Sequence, residues 1–251
     1  MYRVVIPARY GSTRLPGKPL RLIAGQTMLE RVYRQACAAG ADEVLIATDD
    51  GRIVAAAAAF GARALLTSPD HPSGTDRLAE VARREGWTDD EIVVNVQGDE
   101  PLLPPANVAQ VAALLAADPG AQLATLMTPL PTREDFLDPN VVKVVAAAGR
   151  ALYFSRSPLP WHRSIAAAGP DSLDPWTGAY RHLGLYAYRV GTLRRLATLP
   201  PTPLERAERL EQLRALEQGW GIAIAVARSA PGPGVDTEAD LRRVEAILAA
   251  D

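Results

Sequence analysis

Short apolar, β-branched runs recur at Arg3–Ile6, Glu43–Ala47, Arg63–Leu66, Ile92–Val96 and Leu123–Met127, each closed by turn-forming residues. Runs of that length and composition predict strands. Between them, leucine, valine and alanine recur at three- and four-residue spacing over Met28–Ala39, Ile53–Phe60, Arg77–Arg84 and Ala106–Ala116, which predicts helices. The alternation implies βα units and a mainly parallel sheet covered on both faces. Such sheets bind ligands outside the carboxyl ends of their strands, so the polar residues just after each strand are the candidates for function.

Near Pro129 the rhythm changes. Strand-like runs at Val141–Ala146, Ala151–Phe154 and Leu183–Tyr188 are separated by the proline-, glycine- and tryptophan-rich stretch Pro158–Tyr180, as expected of a smaller second lobe. Helical patterns at Leu204–Gln218 and Glu238–Ala249 flank a last strand, Ile222–Ala227, that can return to the main sheet.

The first strand runs straight into "IPARYGSTRLPGKPL", Ile6–Leu20, where Pro7, Pro16 and Pro19 rule out a regular helix. Arg9, Arg14 and Lys18 alternate here with Gly11, Ser12, Thr13 and Gly17. Arginine offers a planar fork to phosphate oxygens, lysine a point charge, and glycine lets backbone N–H groups approach an anion. A triphosphate suits this chemistry. The loop is not a Walker A motif, because five residues separate its glycines and Lys18 is followed by Pro19.

Acids supply the second element. In "NVQGDEPLL" a strand ends at Gln97 and Gly98 before Asp99 and Glu100. Magnesium takes one or two carboxylates together with phosphate oxygens and water, which makes Asp99 its candidate ligand; Glu100 reads equally as a turn residue before Pro101. In "PGVDTEADL", Thr237 and Asp240 have capping spacing, leaving Asp236 free as a second ligand or as a complement to the helix dipole. In "HPSGTDRLAEV", Ser73 and Asp76 read as a cap, with Gly74 and Arg77 left to approach a base or sugar. Asp49 and Asp50 read as caps of the following helix.

Composition narrows the classes. With 251 residues, nearly half of them hydrophobic, the chain can bury a sizeable core, and a net charge of −2 gives no overall attraction to nucleic acid or anionic membrane. Any basic function must therefore be local, which draws attention to the first loop. The single Cys37 lies in an apolar helical pattern and is expected to be a buried thiol. His71, His162 and His182 lack zinc-helix spacing. Without a signal core or a run of about 18 apolar residues, a soluble cytoplasmic protein is expected.

The segments "IPARYGSTRLPGKPL", "ATDD", "HPSGTDRLAEV", "NVQGDEP", "DPNVVKVV", "ALYFSRSPLPW", "RHLGLYAYR", "LERAERLEQLRAL" and "PGVDTEADLRRV" occur in one order along the chain. Together they resemble the 3-deoxy-manno-octulosonate (Kdo) cytidylyltransferases. The resemblance implies a nucleotide-diphospho-sugar transferase-like three-layer α/β/α sandwich, with about 1–129 and 215–251 as nucleotide-binding core and about 130–214 as a sugar-binding and dimerisation lobe. It implies the joining of CTP to Kdo, giving CMP-Kdo and pyrophosphate for lipopolysaccharide synthesis, with Mg2+ as cofactor and a homodimer as the assembly. Carried over residue by residue, Arg9, Ser12, Arg14 and Lys18 would hold the triphosphate. Ser73, Arg77 and Gln97 would lie around the nucleotide, and Asp99 and Asp236 would bind the metal. Arg156 would suit the sugar carboxylate, and His182, Tyr186, Glu211 and Gln212 its hydroxyls. A CMP-sialate synthetase, an amino-Kdo enzyme and a non-catalytic nucleotide-binding protein are the rivals. "STRLPGKP" and "FSRSPLPW" favour Kdo over sialate.

Overall fold

The computed structural model describes residues 1–161 and 179–250. Nine strands form one sheet: β1 Arg3–Ala8, β4 Glu43–Thr48, β5 Arg63–Leu66, β6 Ile92–Asn95, β7 Leu123–Pro129, β8 Lys143–Ala147, β9 Arg150–Ser155, β10 Tyr180–Arg189 and β11 Ile222–Val226. Their order is β5-β4-β1-β6-β10-β7-β11-β9-β8. The first four are parallel, with Val5 opposite Leu45 in β4 and Asn95 in β6. The tenth strand runs antiparallel between β6 and β7, so its first residues lie toward the carboxyl ends of those strands. The last strand does return to the sheet, parallel to β7.

Alternation along β1 explains the layers. Val4 and Ile6 point to one face, where they meet helices α1 Met28–Ala38, α2 Gly51–Ala59 and α4 Pro105–Ala116; Val5 points to the other, toward α3 Gly74–Arg84. Because both faces are covered, the strands are apolar throughout rather than alternating. The three-layer α/β/α expectation holds.

Four differences from the expected elements are seen. A two-residue hairpin, β2 Leu22–Ile23 with β3 Gln26–Thr27, is too short to show in the pattern. Helices α5 Arg133–Leu137 and α6 Val190–Thr198 were not anticipated. The single helix expected over Leu204–Gln218 is two, α7 Pro203–Glu208 and α8 Gln212–Glu217, because Arg209 takes a left-handed conformation with φ of 52°. That break turns Leu210 into the core and Glu211 back toward α3. Finally, Cys37 is exposed. The buried stripe of α1 runs through Met28, Leu29, Val32 and Ala36, and the next residue is rotated off it. Helix α9 Glu238–Ala250 closes the chain. Among the described residues, no helix is long and apolar enough to cross a membrane.

Candidate active site

Beyond β1 the basic loop is pinned at three points. Leu15 is buried against Ile23, Met28, Val235 and Leu241. Its amide donates to Ser12 Oγ at 3.3 Å. Gly17 adopts φ of 65°, which favours glycine, and a Cβ there would crowd the Tyr10 hydroxyl at 3.3 Å. Gly17 leads into a 3-10 turn, Lys18–Leu20, with Pro19 buried in it. The prolines and the Leu15 plug thus fix the backbone from which Lys18 projects.

Lys18 is the centre of the site. Its ammonium donates to Asp99 Oδ2 and to Asp236 Oδ1, each at 2.8 Å, and Arg14 reaches Asp236 at 3.1 Å. Burial pulls the Lys18 pKa down, but Asp99 and Asp236 outweigh it and the pKa is raised, so the group stays charged. These residues line an open cavity of about 520 Å³, together with Arg9, Ser12, Ser73 and Gln97. Gly98 allows the walls to close up: a Cβ there would come within 3.0 Å of the Pro7 carbonyl oxygen. Residues read as a phosphate cradle and residues read as metal ligands therefore meet in one cavity.

Asp236 is placed by the cap that leaves it free. Thr237 Oγ1 accepts the Asp240 amide, while Asp240 accepts the amides of Asp236 and Thr237, so the Asp236 carboxylate has no capping role. Glu100, undecided in the sequence, turns inward. Burial and then the charge of Asp99 push its pKa up to about 7.

At the start of α3, Ser73 caps the helix by accepting the Asp76 amide at 3.2 Å, as its spacing predicts. Asp50 caps α2. Its neighbour Asp49 instead takes Arg77 Nη2 at 2.9 Å, and Arg77 also donates to Thr67. The Arg77 side chain is fully buried and is not among the residues lining the cavity. It supports the wall from behind, which corrects the expectation that it is free to reach a base or sugar.

The sugar-side candidates are held differently. Glu211 accepts Ser73 Oγ at 3.0 Å and Thr75 Oγ1 at 2.5 Å, which brings it to the edge of the cavity; burial raises its pKa against those hydrogen bonds. His182 is in the core, its Nε2 3.0 Å from Thr125 Oγ1 and its ring 4.9 Å from that of Phe154. Burial pushes its pKa down to about 3, so it is neutral. The ring of Tyr186 lies 5.3 Å from His182, and its hydroxyl is buried without a hydrogen-bond partner among the described residues. Gln212 is also buried. Arg156 departs from its expected use: Nε donates to the Glu208 carbonyl and Nη1 to that of Pro139, so two faces of its fork are occupied by backbone. His162 and the tract Ser164–Thr177 lie outside the described residues.

The cavity residues suit a magnesium ion. Asp99 and Asp236 are carboxylates from distant parts of the chain that converge on one cation, Lys18, and hard oxygen donors of this number leave room for phosphate oxygens and water. Among the described residues no group of three or more His, Cys, Asp or Glu is placed to hold a metal.

The cytidylyltransferase family profile matches residues 3–225. The chain is 55% identical to the 3-deoxy-manno-octulosonate cytidylyltransferase of Thioalkalivibrio sulfidiphilus, over 99% of both chains. That decides the family. The chain belongs to the 3-deoxy-manno-octulosonate cytidylyltransferases. Another relative of that name, from Halorhodospira halophila, is 54% identical over 97% of this chain and 95% of its own. Among solved structures, a CMP:2-keto-3-deoxy-manno-octonic acid synthetase complexed with CTP matches with a TM-score of 0.89 and 43% identity, covering 100% of this chain and 99% of the other. A cytidylyltransferase from Leptospira borgpetersenii shares only the fold, with a TM-score of 0.64 and 16% identity.

Within the cytidylyltransferase site, sequence reasoning missed the structural use of Arg77 and the inward turn of Glu100. A fully buried arginine leaves no local signature, since its partner Asp49 is 28 residues away.

Proposed function

We infer that the protein transfers the cytidylyl group of CTP to the anomeric hydroxyl of Kdo, giving CMP-Kdo and pyrophosphate. The observation that carries this reading is the Lys18 ammonium shared by Asp99 and Asp236 in a cavity lined by Arg9, Ser12 and Arg14. Lys18, Arg14, Asp99 and Asp236 form the catalytic group.

The sugar oxygen forms a bond to the α-phosphorus as the bond from that phosphorus to the bridging oxygen of pyrophosphate breaks, and the hydroxyl proton passes to solvent. Little covalent work falls to the protein, so positioning and charge neutralisation dominate. Arg9 and Ser12 orient the triphosphate. Lys18 and Arg14 offset the charge that grows on departing pyrophosphate. Asp99 and Asp236 would hold magnesium, which when bound neutralises phosphate charge and lowers the pKa of a coordinated hydroxyl. Ser73 and Gln97, which line the same cavity, would lie around the nucleotide. Glu211, Gln212, His182 and Tyr186 would read sugar hydroxyls, with His182 neutral and able either to donate or to accept.

A homodimer through residues of the 130–214 region also belongs to this reading. Leu152 on β9 and Trp161 are each more than half exposed. Exposed apolar side chains of this size favour burial against a second copy. The cytoplasm, where CTP is made, is the proposed location.

The test is pyrophosphate release from CTP with magnesium and, in parallel, Kdo, 8-amino-Kdo or sialate. Turnover highest with Kdo is expected. Turnover with none of the three would overturn the enzyme reading, and preference for one of the others would reassign the sugar.

A further inference from the structure

The segment 67–73, between β5 and α3, supplies Pro72 and Ser73 to the wall of the nucleotide cavity that Arg9 also lines. It contains no helix or strand, so beyond the bond from the Thr67 amide to the Thr48 carbonyl its shape is held by side chains. Glu80, on the second turn of α3, does so. One carboxylate oxygen accepts the Ser68 amide at 3.0 Å and meets His71 Nε2; the other pairs with Arg84 at 2.5 Å. Burial opposes the charge on Glu80, but the Ser68 amide, His71 and Arg84 outweigh it and its pKa is lowered. The His71 ring is thereby tied to a rigid helix, and its backbone carbonyl accepts from Arg9 Nη2 at 2.7 Å. Arg9 has a fixed partner at the rim although its side chain belongs to the exposed loop.

We propose that His71 is a positioning residue for nucleotide binding: clamped by Glu80, it holds the segment 67–73 in place and presents its carbonyl to Arg9, so that the guanidinium stands ready for the triphosphate. The inference rests on the cytidylyl-transfer reading and adds to it a residue whose ring is not among those lining the cavity. Its effect should fall on nucleotide affinity, since ordering a long side chain before the ligand arrives removes that cost from binding.

Calorimetric titration with CTP and magnesium, alongside steady-state assays with Kdo, tests this on the whole protein. His71→Ala is expected to weaken CTP binding and raise the KM for CTP by about tenfold, leaving kcat and the sugar KM within about twofold. His71→Gln, whose amide can still donate to Glu80, should recover most of the loss. Added to Arg9→Ala, His71→Ala should cost less than about twofold more, because residues acting through one another are not additive. Unchanged CTP affinity in His71→Ala, or a loss that glutamine does not recover and that adds in full to Arg9→Ala, would overturn the proposal. If His71→Ala does not fold, Glu80→Gln takes its place, with several-fold weaker CTP binding expected and unchanged binding as the contrary result. A wild-type protein that binds CTP but turns over no sugar acid would sink the enzymatic reading alone.

Discussion

Lys18 and His182 can both carry a positive charge and are both assigned to substrate, yet they are held in opposite ways. Lys18 sits among carboxylates at the wall of an open cavity and stays protonated. His182 is enclosed by Phe154, Tyr186 and Thr125 and stays neutral. The nucleotide end thus offers preset charge, which suits a triphosphate. The proposed sugar end would offer the neutral His182 and the buried Tyr186. A site built to bond particular hydroxyls discriminates strongly, because an analogue lacking one leaves a buried polar group unpaired. On the proposed assignments, affinity for the common substrate and selectivity for the particular one would be carried by different parts of the chain.

The largest expected effect lies at the charged end. Asp236→Ala should lower kcat for pyrophosphate release by about 10³, the scale of losing one preorganised electrostatic group. Its melting temperature should barely move, since the Asp236 side chain is half exposed. Retention of kcat within tenfold would remove Asp236 from the catalytic group.

Arg77 marks the boundary between cavity and support. Arg77→Leu strands the partly buried Asp49 carboxylate and should cost about 3 kcal/mol in urea denaturation. Below the melting transition kcat should persist. A collapse of kcat without loss of stability would place Arg77 on the substrate after all.

The neutral end has its own signature in pH. The folded pKa of His182 is about 3 against 6.5 unfolded, so between those values the native state binds fewer protons than the unfolded chain. Its contribution is constant above 6.5 and is lost as pH falls toward 3, at about 1.4 kcal/mol per unit. Glu100, raised from 4.5 to about 7, acts with the opposite sign in its own window, losing its contribution as pH rises. The comparison should therefore be wild type against His182→Asn: their stability difference should shrink by about 2 kcal/mol between pH 6.5 and 5. A difference independent of pH would mean that His182 titrates normally.

Much of this was legible in the sequence because it is local. The short apolar strand runs, the prolines of the first loop, the Ser73 cap and the Thr237–Asp240 cap are each specified within a few residues, and they place Lys18, Asp99 and Asp236 at element ends. What the chain could not reveal depends on partners far apart. The left-handed Arg209 interrupts a run of good helix formers, and it is Glu211, bonded to Ser73 and Thr75 across 138 and 136 residues, that the break delivers to the cavity edge. Cys37 looked apolar by company, but a single step around α1 separates it from the buried Ala36. The sugar residues were named through family resemblance, since nothing in their spacing distinguishes a hydroxyl reader from a core side chain.

The proposed division between a charged nucleotide end and a buried sugar end is tested most directly by titrating CTP and magnesium, without any sugar acid, into wild type, Lys18→Met and Tyr186→Phe. Tyr186 is a fair probe because its buried hydroxyl has no partner among the described residues to lose. The account predicts that wild type and Tyr186→Phe bind CTP alike within about twofold, while Lys18→Met binds at least about tenfold more weakly, the scale of a lost charged hydrogen bond. Equal weakening in both variants, or no CTP binding by wild type until Kdo is added, would contradict it.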